Sequence, residues 1–110
     1  MATKYVPLNF YGGALSASYA SVYAPGATEE CVLTEIIASN TDTSTRLLTV
    51  AWKSGGNDIY LFKDVPMPAS SVMNLNLYLP IEISNAIWAN SDSANKVFLT
   101  VNGLRLEAVV

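Results

Sequence analysis

Apolar and polar residues alternate with a period of two from about residue 30 onward, and this pattern predicts β-strands. The clearest example is residues 71–79, where every second side chain is large and apolar: Met73, Leu75, Leu77 and Leu79. Shorter runs of the same kind occupy residues 31–38, 45–53, 59–65, 86–90 and 96–101, with polar or turn residues between them. No stretch shows the spacing of an amphipathic helix. The pattern therefore predicts an all-β fold, a single antiparallel β-sandwich of immunoglobulin-like or jelly-roll-like type.

A glycine-rich turn joins two of the predicted strands. In residues 45–53 the side chains of Leu48, Val50 and Trp52 share one face, which we predict to be the core face. Residues 55–58, GGND, have the composition of a tight turn, so we expect a hairpin with residues 59–65. Pro66 and Pro68 cannot donate to a strand ladder, and we expect the sheet to break there.

The apolar residues change parity in the last predicted strand. Up to Val101 they occupy odd positions, whereas Leu104 and Leu106 occupy even ones. An inserted residue explains the change, either as a β-bulge at Asn102-Gly103 in one long strand or as a two-residue hairpin turn there. Because few residues follow Gly103, we favour the bulge, although Asn-Gly is a strong hairpin signal.

The first 28 residues differ from the rest, with aromatic residues scattered among glycine, alanine, serine and proline. We predict an extended, aromatic-rich N-terminal arm at residues 1–18, followed by the β-sandwich domain at residues 19–110. Tyrosine offers a large contact area for little loss of rotamer entropy, which suits contact with a neighbouring subunit. The alternative is that residues 19–23 form an edge strand of the chain's own sandwich. The predicted contact residues are Tyr5, Phe10, Tyr11, Tyr19 and Tyr23.

Composition narrows the classes of partner. The chain has 110 residues, of which 51% are hydrophobic and 14% are charged, against roughly 25% charged in an average domain. A surface this neutral favours contact with other proteins. The net charge of −3 and the lack of a basic run argue against nucleic acid. No segment approaches ~18 consecutive apolar residues and the N-terminus has no apolar signal core, so we expect a soluble protein that contacts no membrane.

Candidate chemistry is sparse. The chain has no histidine, the commonest general base and a common metal ligand. Cys31 is the one cysteine, and we predict that it packs as a small hydrophobic residue. Asn40, Asp42 and Ser44 place oxygen atoms at alternate positions, but without the glycine and downstream glutamate of a calcium loop they favour a solvated turn. We predict no enzyme, no cofactor and no metal.

Glu35 lies in the middle of an apolar run and is the carboxylate of most interest. If it is buried, it needs a partner such as Arg46, Lys53 or Arg105. An outward-facing or interface ion pair is favoured over catalysis, which makes Glu35 and Arg46 further candidates for partner contacts. Trp88 or Tyr78 could instead provide a flat aromatic platform for a sugar ring.

Two groups of segments resemble the small β-sandwich virion accessory proteins of tailed bacteriophages. Residues 23–28, YAPGAT, and 32–41, VLTEIIASNT, have the aromatic residue, Pro-Gly turn, apolar strand and Asn-Thr loop with which those proteins commonly open. Residues 77–81, 86–89 and 97–104 resemble their closing strands, so that the similarity covers roughly residues 20–108. These are turn and core positions, and the family pattern has no catalytic residues. Members serve as capsid decoration (cement) proteins or as tail and neck accessories.

The resemblance and the composition lead to one hypothesis. In this hypothesis, we expect the chain to be made in the host cytoplasm, to bind the outer capsid surface of a tailed phage through the major capsid protein, and to staple adjacent capsid subunits. The resemblance also implies a homo-oligomer, with a trimer favoured. We expect deletion of residues 1–18 to weaken capsid binding. The alternatives are a tail or neck accessory protein of the virion and a carbohydrate-binding module.

Overall fold

The chain folds into eight antiparallel strands in a computed structural model, which describes residues 2–26 and 29–109. The strands are β1 (Ala2–Ala14), β2 (Ala20–Tyr23), β3 (Cys31–Asn40), β4 (Arg46–Ser54), β5 (Asn57–Met67), β6 (Val72–Ile81), β7 (Asn85–Ser91) and β8 (Val97–Val109). The described residues contain no helix, and so include none that could cross a membrane.

The strands form two four-stranded sheets packed face to face. Sheet A has the order β1-β8-β3-β6, and sheet B has the order β2-β7-β4-β5. Apart from the β4–β5 hairpin, each strand is followed by a strand of the opposite sheet. This arrangement is the jelly roll. The predicted all-β sandwich is confirmed, and of the two types considered the topology selects the jelly roll.

The core between the sheets is built from the alternating positions of the sequence. Leu33, Leu48, Val50, Ile87 and Leu99 are all fully inaccessible to solvent. The alternate leucines and methionine of β6 pack against this core from its edge, as their spacing predicts. Because each sheet covers the apolar face of the other, the core is continuous along the sandwich.

The predicted hairpin between β4 and β5 is confirmed. Its two turn residues, Gly55 and Gly56, have φ values of +57° and +87°. Positive φ at both central positions defines a turn whose twist matches that of the flanking strands, and glycine adopts it without steric cost. The expected break before the next strand occurs at Pro68, since β5 continues through Pro66 to Met67 and β6 begins at Val72. Pro66 is tolerated there since β5 is an edge strand.

The N-terminal segment is part of the sandwich. Residues 2–14, which are part of the predicted N-terminal arm, form β1, and β1 pairs with β8 from Ala2 to Ala14. Leu15, directly after β1, is 1% exposed and lies in the core. Residues 20–23 form β2 at the edge of sheet B, which is the alternative that the sequence left open. Residue 1 lies outside the described residues.

The last strand is continuous across Asn102 and Gly103, so the hairpin alternative is excluded. The irregularity lies in the neighbouring strands. In β1, Phe10 has no partner on β8, so a bulge lies between Asn9 and Tyr11. In β3, Thr34 has no partner on β8, so a second bulge lies between Leu33 and Glu35. Since β8 keeps its alternation, its even-numbered residues after Gly103 face outward.

Candidate functional site

The outer face of sheet A carries an apolar row where a soluble sandwich usually has polar residues. The register places Pro7, Leu104, Val32 and Pro80 side by side across all four strands. Residues paired in this way point to the same face of a sheet. The side chains of this row point away from the core. Pro80 is exposed, and Val32, although mostly covered, is not part of the core cluster between the two sheets. The change of apolar residues from odd to even positions at Leu104 therefore reflects the apolar outer surface of sheet A.

Two exposed tyrosines line a groove above this row. Tyr5 projects from β1 and is 51% exposed, and Tyr78 projects from β6 and is 69% exposed. Between them lies a concave groove of about 240 Å³, which we call the sheet A groove. Its lining residues are Tyr5, Glu30, Cys31, Val32, Tyr78, Pro80 and Glu82. Large exposed aromatic residues around an apolar floor are typical of protein-binding surfaces.

The carboxylates of Glu30 and Glu82 give the sheet A groove a negative charge. Glu30 directly precedes β3 and Glu82 directly follows β6, so each is one residue beyond the Cys31–Ile81 pair. Both residues are exposed. In the described part of the chain, neither carboxylate has a hydrogen bond or an ion pair, whereas Arg46, Lys53, Lys63 and Arg105 all pair with other acids. The groove is thus aromatic, apolar and negatively charged.

Glu35 lies on the same outer face, but it is held by amides rather than by a cation. Asn102 Nδ2 donates to Glu35 Oε1 at 3.2 Å, and Asn74 Nδ2 lies 3.5 Å from Oε2. Asn9 Nδ2 in turn donates to Asn102 Oδ1 at 2.9 Å, so a polar ladder crosses all four strands of sheet A. The expected partner Arg46 is elsewhere. This ladder orders the sheet beside the sheet A groove.

Arg46 is the first residue of β4 and directly follows the loop that joins β3 to β4. Its Nε donates to Asp42 Oδ2 at 2.7 Å, and its guanidinium lies 3.9 Å from Asp92. The hydrogen bond from Arg46 is the main reason why the pKa of Asp42 lies below its ordinary value, with a further contribution from the backbone N–H of Thr43. The turn predicted to be solvated at residues 40–44 is solvated only in part, because Asn40 is 1% exposed whereas Ser44 is exposed. No cluster of metal-ligating side chains occurs among residues 2–26 and 29–109.

Most of the other aromatic residues predicted to contact a partner have roles inside the chain. Phe10 and Tyr23 pack on the core with their ring centroids 4.6 Å apart. The Tyr23 hydroxyl donates to Glu29 Oε2 at 3.2 Å, and that of Tyr11 donates to the Ala14 carbonyl at 3.1 Å. Burial is the main cause that raises the pKa of Tyr23. Of the N-terminal aromatic residues, Tyr5 is the one whose side chain is mostly exposed.

Tyr19 joins a second aromatic cluster, on the outer face of sheet B. Its ring lies 5.3 Å from that of Trp88, and its hydroxyl donates to Asp58 Oδ1 at 2.8 Å. Lys53 Nζ stands 4.0 Å from the centre of the Trp88 ring and 3.7 Å from Asp58. Burial and the hydrogen bond to Asp58 raise the pKa of Tyr19. Because the ammonium group covers the Trp88 face, this cluster is occupied by its own side chains.

Tyr5 and, as a sugar platform, Tyr78 are both predicted contact residues, but their sequence positions do not indicate that they share one site. Glu30 and Glu82 are not among the predicted site residues. Their proximity depends on the pairing of β3 with β6, which are far apart in sequence. The signal that was available is the parity change at Leu104 and Leu106, which places apolar residues on an outer face.

Comparison with known proteins gives the fold and no sequence family. No family profile and no curated protein sequence matches the chain. A chain of the T13 particle of infectious bursal disease virus matches 94% of this chain with a TM-score of 0.56 and 9% identity, and the match spans 30% of the viral chain. The Gx strain of that virus gives a TM-score of 0.53 at 7% identity, over 94% of this chain and 32% of the viral one.

A chain of Bacillus endospore appendages, which form disulfide-linked pili, matches with a TM-score of 0.55 and 13% identity. That match covers 94% of this chain and 85% of the appendage chain. Identities this low show a shared fold alone. The chain is a jelly-roll sandwich that resembles domains of viral capsid proteins. The resemblance to virion proteins stated from the sequence is supported at this broader level.

Proposed function

We propose that the chain is a structural virion protein of a tailed phage, a decoration protein that binds the outer capsid surface and strengthens contacts between capsid subunits. The observation that carries the proposal is the sheet A groove with its flanking Tyr5 and Tyr78. It offers exposed aromatic and apolar surface on the outer face of a sheet, as a protein-binding site requires. The jelly-roll likeness to virus particle chains supports it.

The proposed mechanism is binding rather than catalysis. A protein that binds only the assembled capsid stabilises it by mass action, and many copies multiply a modest gain at each site. The partner in this proposal is the major capsid protein, and the chain acts on the particle as a homo-oligomer, with a trimer favoured. Neither nucleic acid nor membrane takes part.

Point variants test the surface better than a deletion. Removing residues 1–18 would remove β1 and the core residue Leu15, so any loss of binding would reflect unfolding. Tyr5→Ala and Tyr78→Ala leave the core intact. The matched control is Tyr60→Ala, since Tyr60 is 43% exposed on the other sheet. We expect the first two variants to lose capsid occupancy and the control to keep it. Equal occupancy for all three would overturn the role of this face.

The copy number of the chain in purified particles tests the function itself. It is measured by quantitative mass spectrometry against the major capsid protein. Hundreds of copies support a decoration protein, whereas a dozen or fewer support the alternative of a tail or neck accessory protein. No copies at all would refute a virion role.

A self-assembling fibre subunit is a second candidate. It is favoured by the appendage comparison, in which the match covers nearly the whole of the other chain. Cys31 is 4% exposed, so assembly through a disulfide at this residue would require local opening. Electron microscopy of the purified protein at high concentration tests this candidate, with filaments in non-reducing buffer as the supporting result.

A further inference from the structure

We propose that the sheet A groove binds the guanidinium group of an arginine on the partner protein. The proposal deepens the proposed function by naming the chemistry that the partner presents. It rests on the arrangement of two aromatic walls, an apolar floor and two carboxylates in one concave surface.

The carboxylates supply the first argument. Glu30 and Glu82 lie just outside the adjacent strands β3 and β6, each one residue beyond the paired Cys31 and Ile81, and like charges on neighbouring chain segments repel each other. The described residues place no cation on either carboxylate, although they place one on acids elsewhere in the chain. A cation in the groove would interact favourably with both carboxylates and remove this repulsion.

The tyrosines and the floor select the kind of cation. An arginine side chain has a planar head that stacks on aromatic rings and donates two parallel hydrogen bonds to a carboxylate. Its aliphatic stem packs on apolar surface. Tyr5 and Tyr78 provide exposed rings, Val32 and Pro80 provide the floor, and a volume of about 240 Å³ accommodates one such side chain. A metal ion or a small anion would leave the aromatic walls without a role.

The aromatic cluster of sheet B makes a useful comparison within the same molecule. There Lys53 already occupies the face of Trp88 and pairs with Asp58. The sheet A groove combines the same types of group, aromatic rings and carboxylates, but its cation is not supplied by the described residues. We infer that the partner supplies it.

The test uses N-acetyl-arginine amide as the probe and the neutral, nearly isosteric N-acetyl-citrulline amide as its control. Backbone amide shifts of the full chain are followed by NMR during titration. We expect saturable shifts centred on Tyr5, Val32 and Glu82 with the arginine probe and much weaker binding of the citrulline probe. Equal binding of the two probes, or shifts spread over both sheets, would overturn the proposal.

Isosteric variants separate a site from a general effect of charge. Glu30→Gln and Glu82→Gln should each weaken binding of the arginine probe by about two- to fivefold, the range expected for one exposed ion pair. Asp64→Asn removes one charge from β5 of the opposite sheet and should leave the affinity unchanged. If Asp64→Asn weakens binding as much as the groove variants do, the proposal fails.

This experiment is independent of the virion. If the probe binds but purified particles contain no copy of the chain, the groove is an arginine site and the virion role is refuted. If particles carry hundreds of copies but the probe does not bind, the arginine proposal is refuted and the virion role stands.

Discussion

The carbonyl oxygen of Val32 occupies the position that a side chain on Gly103 would need, since a Cβ atom built there would stand 2.1 Å from it. The same Cβ would lie 2.4 Å from a ring carbon of Phe10. Phe10 is the unpaired residue of the β1 bulge, and its ring covers the backbone of Gly103. The bulges beside β8, the glycine and the aromatic ring are thus parts of one close-packed junction.

Gly103→Ala is therefore expected to destabilise the fold by about 2 kcal/mol or more, because a backbone oxygen cannot yield as a flexible side chain can. The free energy of unfolding is measured by urea denaturation. Gly12→Ala is the control, since a Cβ at Gly12 meets only the amide end of Asn9 at 3.4 Å or more. Its cost should be much smaller. Similar costs for the two substitutions would contradict the close approach at Gly103.

Asn40 is expected to be the polar residue whose loss costs most. It is 1% exposed, and its Nδ2 lies 3.0 Å from the carbonyls of both Ser44 and Met67 and 3.1 Å from that of Pro68. Replacement by alanine removes these donors and leaves buried carbonyls unpaired, at a cost of about 2–4 kcal/mol.

The measurement is again urea denaturation, with Asn74→Ala as the control. Asn74 is exposed and makes one long hydrogen bond, to Glu35 at 3.5 Å, so its loss should cost less than about 0.5 kcal/mol. Asn40→Asp should destabilise as well, because a carboxylate cannot donate to those carbonyls. A neutral effect of Asn40→Ala would contradict the structural role given to this amide.

The local features of this fold could be predicted from the sequence. Alternation in residues 71–79 identifies β6 and its core face, and the glycine pair at 55–56 identifies the β4–β5 hairpin. Both depend on side-chain direction and backbone conformation within a short segment. The sheet in which each strand lies depends on contacts between distant segments, which alternation does not encode.

β1 shows why the N-terminal prediction differed from the structure. Pro7 interrupts the run, Gly12 and Gly13 carry no side chain to alternate, and the bulge at Phe10 shifts the phase. An edge strand of this kind is defined by its pairing with β8 rather than by its own pattern. The same limit applies to the sheet A groove, because Glu30 and Glu82 meet only through the pairing of β3 with β6.

The pair of Asp42 and Arg46 makes stability depend on pH. The hydrogen bond that Arg46 donates to the Asp42 carboxylate holds the pKa of Asp42 below its ordinary value. In the unfolded chain that pKa is about 3.9. The ionised carboxylate therefore stabilises the fold above the unfolded pKa, and this contribution is lost as pH falls through the folded pKa. Asp42→Asn should lower the urea midpoint at neutral pH, and the difference from the wild type should shrink as the pH falls through the folded pKa of Asp42. A difference that stays constant with pH would contradict this role.

Cys31 should react slowly with thiol reagents in the folded protein. It is 4% exposed, and burial is the main cause that raises the pKa of its thiol. Since the thiolate is the reactive form, reaction requires local opening. Labelling by a disulfide reagent at pH 8 should be at least about a hundredfold slower than in urea. Rapid labelling of the folded protein would show that Cys31 is available for a bond between chains.

Lys53 is expected to protect one face of Trp88. Its ammonium group stands 4.0 Å from the ring centre, and Lys53→Met removes the charge while keeping an aliphatic side chain. The loss of the cation–π contact and of the pair with Asp58 should cost about 0.5–1 kcal/mol and should increase quenching of tryptophan fluorescence by acrylamide. Lys63→Met is the control, because Lys63 stands over Tyr60 at 4.7 Å and should leave the quenching unchanged.

The same fluorescence measurement bears on the carbohydrate-binding alternative. A sugar ring can stack on Trp88 only where the ammonium group of Lys53 does not already lie, so oligosaccharides should leave the fluorescence of the wild-type protein unchanged. Saturable quenching of the wild type by a sugar would show that Lys53 leaves the ring on binding. The outer face of sheet B, rather than the sheet A groove, would then be the principal binding surface.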